Sequence, residues 1–152
     1  TYGRHKIEVK MKKGCFLENM HSFMEDCTEL LSLDLSNFCI SNVIDMSNSF
    51  KFCTELVFLN FNGINTKNVF NFSGLFDGVR MTSLPLRNFI TKNATFMDHM
   101  FARCDKLKVL NIDNFETVIQ PGKVEFFLNI TNIEKESGLD EECYNFECMP
   151  YS

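Results

Sequence analysis

Apolar residues along this chain follow two alternating periods. From position 20 onward, Met20, Phe23, Met24 and Cys27 fall at i, i+3, i+4 and i+7, the spacing of one helix face. Leu33 and Leu35 then alternate with Ser32, Asp34 and Ser36, the spacing of a half-buried strand. After 26 residues the pattern returns as Met46, Phe50, Cys53, Leu56, Leu59, Phe61, Ile64 and Val69. A third copy runs through Phe72, Leu75, Phe76, Val79, Met81, Leu84, Leu86, Phe89 and Ala94, one residue shorter between Val79 and Leu84. The fourth supplies Met97, Met100, Phe101, Cys104, Leu107, Leu110, Ile112 and Phe115.

A fixed period of this length is the signature of a repeat architecture, because one short unit cannot bury its own apolar face and must stack on its neighbours. The pattern predicts an α/β repeat solenoid, leucine-rich-repeat-like, with short parallel strands on one face and short helical segments on the other. The helical segments are expected at 20–27, 46–53, 72–79 and 97–104, each followed by a strand centred on a Leu-x-Leu pair. Pro85 lacks an amide donor and should interrupt pairing in the third strand. Residues 1–19 read as a partial N-terminal coil, with Ile7 and Val9 at the strand positions, and 20–122 as the coils of about 25–26 residues. Past Phe115 the register fails at Gln120-Pro121-Gly122, so 123–152 read as a C-terminal cap and acidic tail. The chain starts in mid-pattern, which reads as a piece of a longer array.

Asparagines recur at the turns. Asn42, Asn68 and Asn93 each precede an inward Val or Ala, and Asn37, Asn88 and Asn114 each precede an inward Phe. Asn side chains bond to nearby backbone and tolerate tight-turn dihedrals, so their expected role is structural.

The run Cys-x-x-Leu-x-x-Leu-Asp-Leu-Ser-Asn-Phe, followed by Ser-Asn-Val and Asp-Met-Ser (27–47), closely resembles BspA-like leucine-rich repeats. The resemblance spans about residues 6–118 and loosens in later copies, where Val79 replaces the Cys and Pro85 enters the strand. It implies a curved solenoid displayed on a cell surface or secreted, with adhesion or partner binding and no catalysis. In that geometry the outward strand positions line a concave sheet. The candidate binding residues there are Asp34, Phe58, Asn60, Arg87, Val109 and Asn111, with Phe58 and Val109 apolar where their equivalents are polar. The partner implied is a protein or glycan. An intracellular repeat scaffold and a structural spacer are the alternatives.

Composition narrows the chemistry. A net charge of −5 on 152 residues lacks the clustered basic face that nucleic-acid phosphates require. No apolar run reaches the length of a membrane span. Cys27, Cys53 and Cys104 share one repeat position with Val79, so that position takes a small apolar filler and not a metal ligand. Cys143 and Cys148, near the end, are the pair placed for a disulfide. His5, His21 and His99 occupy unrelated positions, and no phosphate-binding or nucleophile motif is present. No metal, cofactor or enzymatic activity is expected.

Overall fold

The computed structural model describes residues 17–112 and 115. Among the described residues the strands are β1 (Ser32–Asp34) and β2 (Phe58–Asn60), three residues each. They pair in parallel with Ser32 opposite Phe58, Leu33 opposite Leu59 and Asp34 opposite Asn60. The sheet is open and stops at two strands among the described residues. Pro85, at the position of Asn60 one copy on, has no N–H to extend it. A single parallel bridge joins Ser83 to Val109 further along.

The expected α/β solenoid is corrected at its helices. No helix occurs among the described residues, and without helices on one face and a curved sheet on the other there is no leucine-rich-repeat solenoid. What occupies 20–27, 46–53, 72–79 and 97–104 is a row of consecutive turns. In the first row Phe23 N–H donates to Met20 O, Glu25 to Ser22 O and Cys27 to Met24 O. These i→i−3 bonds use alternate amides. The amides between them point out of the row: those of Met20, Ser22, Met24 and Asp26 donate to the carbonyls of Asp45, Ser47, Ser49 and Lys51 in the second row. Met46, Asn48, Phe50 and Phe52 donate likewise to Asn71, Ser73, Leu75 and Asp77, and Phe72, Gly74, Phe76 and Gly78 to Phe96, Asp98, Met100 and Ala102. The inter-row distances are 2.7–3.0 Å throughout. An α-helix would turn every interior N–H back on its own chain and leave none for this cross-linking. A segment of eight residues is also too short to be a stable helix alone, so the stacked arrangement prevails.

Two residues per row must adopt a left-handed conformation to aim the amides alternately. They are Ser22 and Asp26, then Asn48 and Phe52, Gly74 and Gly78, His99 and Arg103, with φ between 54° and 73°. For an L-residue this costs about 1–2 kcal/mol, and glycine escapes the cost. The two glycines of the third row also make room for the row before. A Cβ on Gly78 would fall inside contact distance of the Phe52 ring, and one on Gly74 would strike Asn48 Oδ1.

Between rows 2 and 4 lies a continuous aromatic core. Phe50 stacks on Phe76 at 5.8 Å and Phe76 on Phe101 at 6.1 Å, with the planes of the latter pair 1° apart. Phe61 meets Phe89 edge-on at 5.1 Å. All five rings are buried. Small polar groups inside are satisfied by backbone: Ser49 Oγ donates to Met20 O and Met46 O, and Thr66 exchanges bonds with the Ile90 backbone. Asn68 and Asn93 extend Nδ2 to the carbonyls of Ser41 and Lys67 in the preceding copy, each at 2.7 Å.

Phe76→Ala should cost about 3–5 kcal/mol, since it removes the ring shared by both stacks, and chemical denaturation reads this directly. Gly78→Ala should lower the melting temperature more than Gly63→Ala. Both sit at positive φ, but at Gly63 the nearest atom is Ser36 O at an ordinary 3.4 Å. Adding Phe52→Ala to Gly78→Ala should recover the steric part of the loss. Equal losses at the two glycines would refute the assigned clash.

Candidate functional site

The residues nominated on the outward strand positions fall into separate groups. Phe58, Asp34 and Asn60 lie on the two-stranded ladder, where Phe58 is 52% exposed. Asp34 Oδ1 accepts from Ser36 N–H and Asn60 Oδ1 from Asn62 N–H, each at 2.9 Å, so both side chains brace the turn that follows their strand. The Ser36 hydroxyl, then its amide, hold the Asp34 carboxyl below the usual range. Val109 lies apart, bridged to Ser83, with its amide on Thr82 O. Arg87 is exposed and Asn111 half-buried. No concave sheet collects the six, and protein or glycan binding through such a sheet is therefore withdrawn. Cys143, Cys148, residues 1–16 of the partial coil expected at 1–19, and the cap at 123–152 lie outside the described residues. Cys27, Cys39, Cys53 and Cys104 are free thiols. Burial pushes Cys53 and Cys104 up to about 12, and their Sγ atoms donate to Met24 O and Phe76 O.

Two features that the sequence did not reveal stand out. The first is a charged column crossing the rows with alternating sign. Lys51 Nζ lies 3.4 Å from Glu25 Oε1, and Arg103 pairs with Asp77 Oδ2. The Arg103 guanidinium sits 5.2 Å, and Lys51 Nζ 5.5 Å, from the centre of the Phe52 ring. The Ser22 hydroxyl first, and Lys51 after it, lower the Glu25 pKa. Asp77 is different: its side chain is 4% exposed and its Oδ1 has no hydrogen-bond partner among the described residues. Burial raises its pKa, and Arg103, Lys51 and His99 offset this only in part.

The second feature is an apolar line across successive copies. Ile44 is 49% and Phe96 47% exposed. Phe70 N–H donates to Ile44 O and Phe96 N–H to Phe70 O, and the Phe70 and Phe96 rings meet edge-on at 6.2 Å.

Elsewhere the surface offers little enclosure. Arg80, Thr82, Asp105, Lys106 and Lys108 line a shallow open depression, with Arg80 Nε 3.5 Å from Asp105. No group of three potential metal ligands occurs among the described residues. No described helix is long and apolar enough to cross a membrane.

The fold defines a class of protein built from turn rows cross-linked through the main chain. The family described as “Mycoplasma protein of unknown function, DUF285” matches residues 18–137, and the chain belongs to it. No curated protein and no solved structure matches the chain. The BspA-like resemblance is thereby corrected: the family that matches is a different one, and the helix-and-curved-sheet units of a leucine-rich repeat are missing. A cell-surface or secreted location, implied only by that resemblance, loses its basis.

Because the folded state raises the Asp77 pKa, its contribution to stability is full below the unfolded value and is lost as pH rises through the folded one. Wild type should therefore gain stability relative to Asp77→Asn as pH falls through the range just above ordinary carboxylate values. Paired denaturation curves across that range check this, and a relative loss on acidification would reverse the assignment.

Proposed function

We propose that this protein works without catalysis, by binding another polypeptide through exposed apolar side chains on its stacked copies. The observation that carries the reading is the line of Ile44, Phe70 and Phe96, in which Ile44 and Phe96 are about half exposed and the two rings meet at 6.2 Å. Apolar groups aligned on a surface supply contact area that a partner can cover. The polar side chains support the non-catalytic part. Asp34, Asn60, Asn68, Asn71 and Asn93 are all engaged with neighbouring backbone, and a group tied to structure is poorly placed to move a proton or attack a substrate. A net charge of −5 supports a partner other than nucleic acid.

Amide-labelled protein titrated with short apolar peptides tests the reading, in wild type and in the double variant Ile44→Ser, Phe96→Ser. The amide resonances of Phe70 and its neighbours should shift in wild type and stay still in the variant. Equal responses in both proteins, or shifts confined to β1 and β2, would defeat it.

A further inference from the structure

An asparagine side chain can be attacked by the main-chain nitrogen of the residue that follows it. Attack needs a nitrogen free to give up its proton and to approach the side-chain carbon. The turns of this fold deny both at most asparagines. The amides of Phe38, Val43, Ser49, Val69, Phe89 and Ala94 follow Asn37, Asn42, Asn48, Asn68, Asn88 and Asn93, and each donates to the carbonyl three residues back. The side chains of Asn68 and Asn93 are tied to main-chain carbonyls as well.

Asn62 is placed differently. It is exposed, and Gly63 follows it. The turn after β2 is closed one residue further on, by Ile64 N–H on Phe61 O at 3.1 Å, so the closing bond bypasses the Gly63 amide. Among the described residues neither that amide nor the Asn62 side chain has a hydrogen-bond partner. Gly63 carries no Cβ to obstruct the approach, and from its φ of 80° a glycine can turn at little cost. Asp77, also followed by a glycine, supplies the contrast. Gly78 N–H is committed to Ala102 O at 2.8 Å, and the Asp77 side chain is buried against Arg103.

We propose that Asn62 is a site of spontaneous deamidation in the folded protein. The Gly63 nitrogen passes its proton to solvent base and bonds to Asn62 Cγ. The bond from Cγ to the side-chain nitrogen breaks, and ammonia leaves with a proton taken from water. The cyclic imide then takes up one water molecule at either carbonyl and opens to aspartate or isoaspartate. Each event replaces a neutral amide by a carboxylate. Isoaspartate also routes the main chain through Cβ, one carbon longer, between Phe61 and Ile64, which are both buried. The Phe61 ring packs on Phe50, Phe76 and Phe89, so the lengthened turn bears on the aromatic core.

Protein kept folded at mildly alkaline pH, beside a sample unfolded in urea, is followed by peptide mass spectrometry and by an isoaspartate-specific methyltransferase assay. In the folded sample the amide should be lost first at Asn62, with Asn48 intact and no isoaspartate at Asp77. In urea Asp77 should gain isoaspartate, because its glycine nitrogen is released. Asn62→Gln should remove the early signal from the folded sample. The separated isoaspartyl form should melt below Asn62→Asp, which carries the new charge without the extra carbon. An Asn62 that stays intact in folded protein, whatever it does in urea, would overturn the inference. So would isoaspartate appearing at Asp77 as early as at Asn62 in the folded sample. Equal melting temperatures would overturn the coupling of this turn to the core.

Discussion

Each turn row divides its main-chain amides into two sets, and the rest of the structure depends on that division. One set closes i→i−3 turns inside the row, and the other is handed to the next row at 2.7–3.0 Å. A net gain of about 0.5–1.5 kcal/mol per bond is modest, but four parallel bonds at each junction fix the register of every side chain between the rows. With register fixed, Phe50, Phe76 and Phe101 fall directly over one another. Register also sets the charged column of Glu25, Lys51 and Asp77, with Arg103 beside it.

The division has a conformational cost. Two residues per row take positive φ, and outside the third row none of them is glycine. Phe52 is the most demanding, because a bulky side chain rarely adopts this conformation. Its amide reaches Asp77 O at 2.8 Å, two cations lie over its ring, and Gly78 leaves space for it in the following row. Asp77 shows a similar compromise, buried beside Arg103 with one oxygen unpartnered among the described residues. Strain and burial are thus tolerated where adjoining rows hold the offending group from both sides.

Which residues are inside was readable from the chain. Met46, Phe50, Cys53, Leu56, Leu59, Phe61, Ile64 and Val69 are all buried, as are Phe72, Phe76, Leu84, Leu86 and Phe89. Spacing reports which side chains share a face, and a face three and four residues apart is produced equally by a helix and by turns that reverse handedness every fourth residue. Periodicity therefore identified the core but misassigned the backbone beneath it. The contrary signal was local: Gly74 and Gly78 in one row, and Asn48 at the position of Gly74 in the row before. The site was less legible still. Ile44, Phe70 and Phe96 are apolar like the core residues around them, so residue type alone does not mark them as outward. The outward strand positions that did attract attention, Asp34 and Asn60, are engaged in the turns beside them.

The claim that amides alternate between their own row and the next can be measured bond by bond. Scalar couplings across hydrogen bonds, recorded between amide nitrogens and carbonyl carbons, connect each donor to its acceptor. The structure predicts couplings from Phe50 to Leu75, Gly74 to Asp98 and Phe76 to Met100, interleaved with local ones from Lys51 to Asn48 and Asp77 to Gly74. Couplings from Phe50 to Met46 and from Phe76 to Phe72 would mean helices after all, and the stacked rows would have to be abandoned.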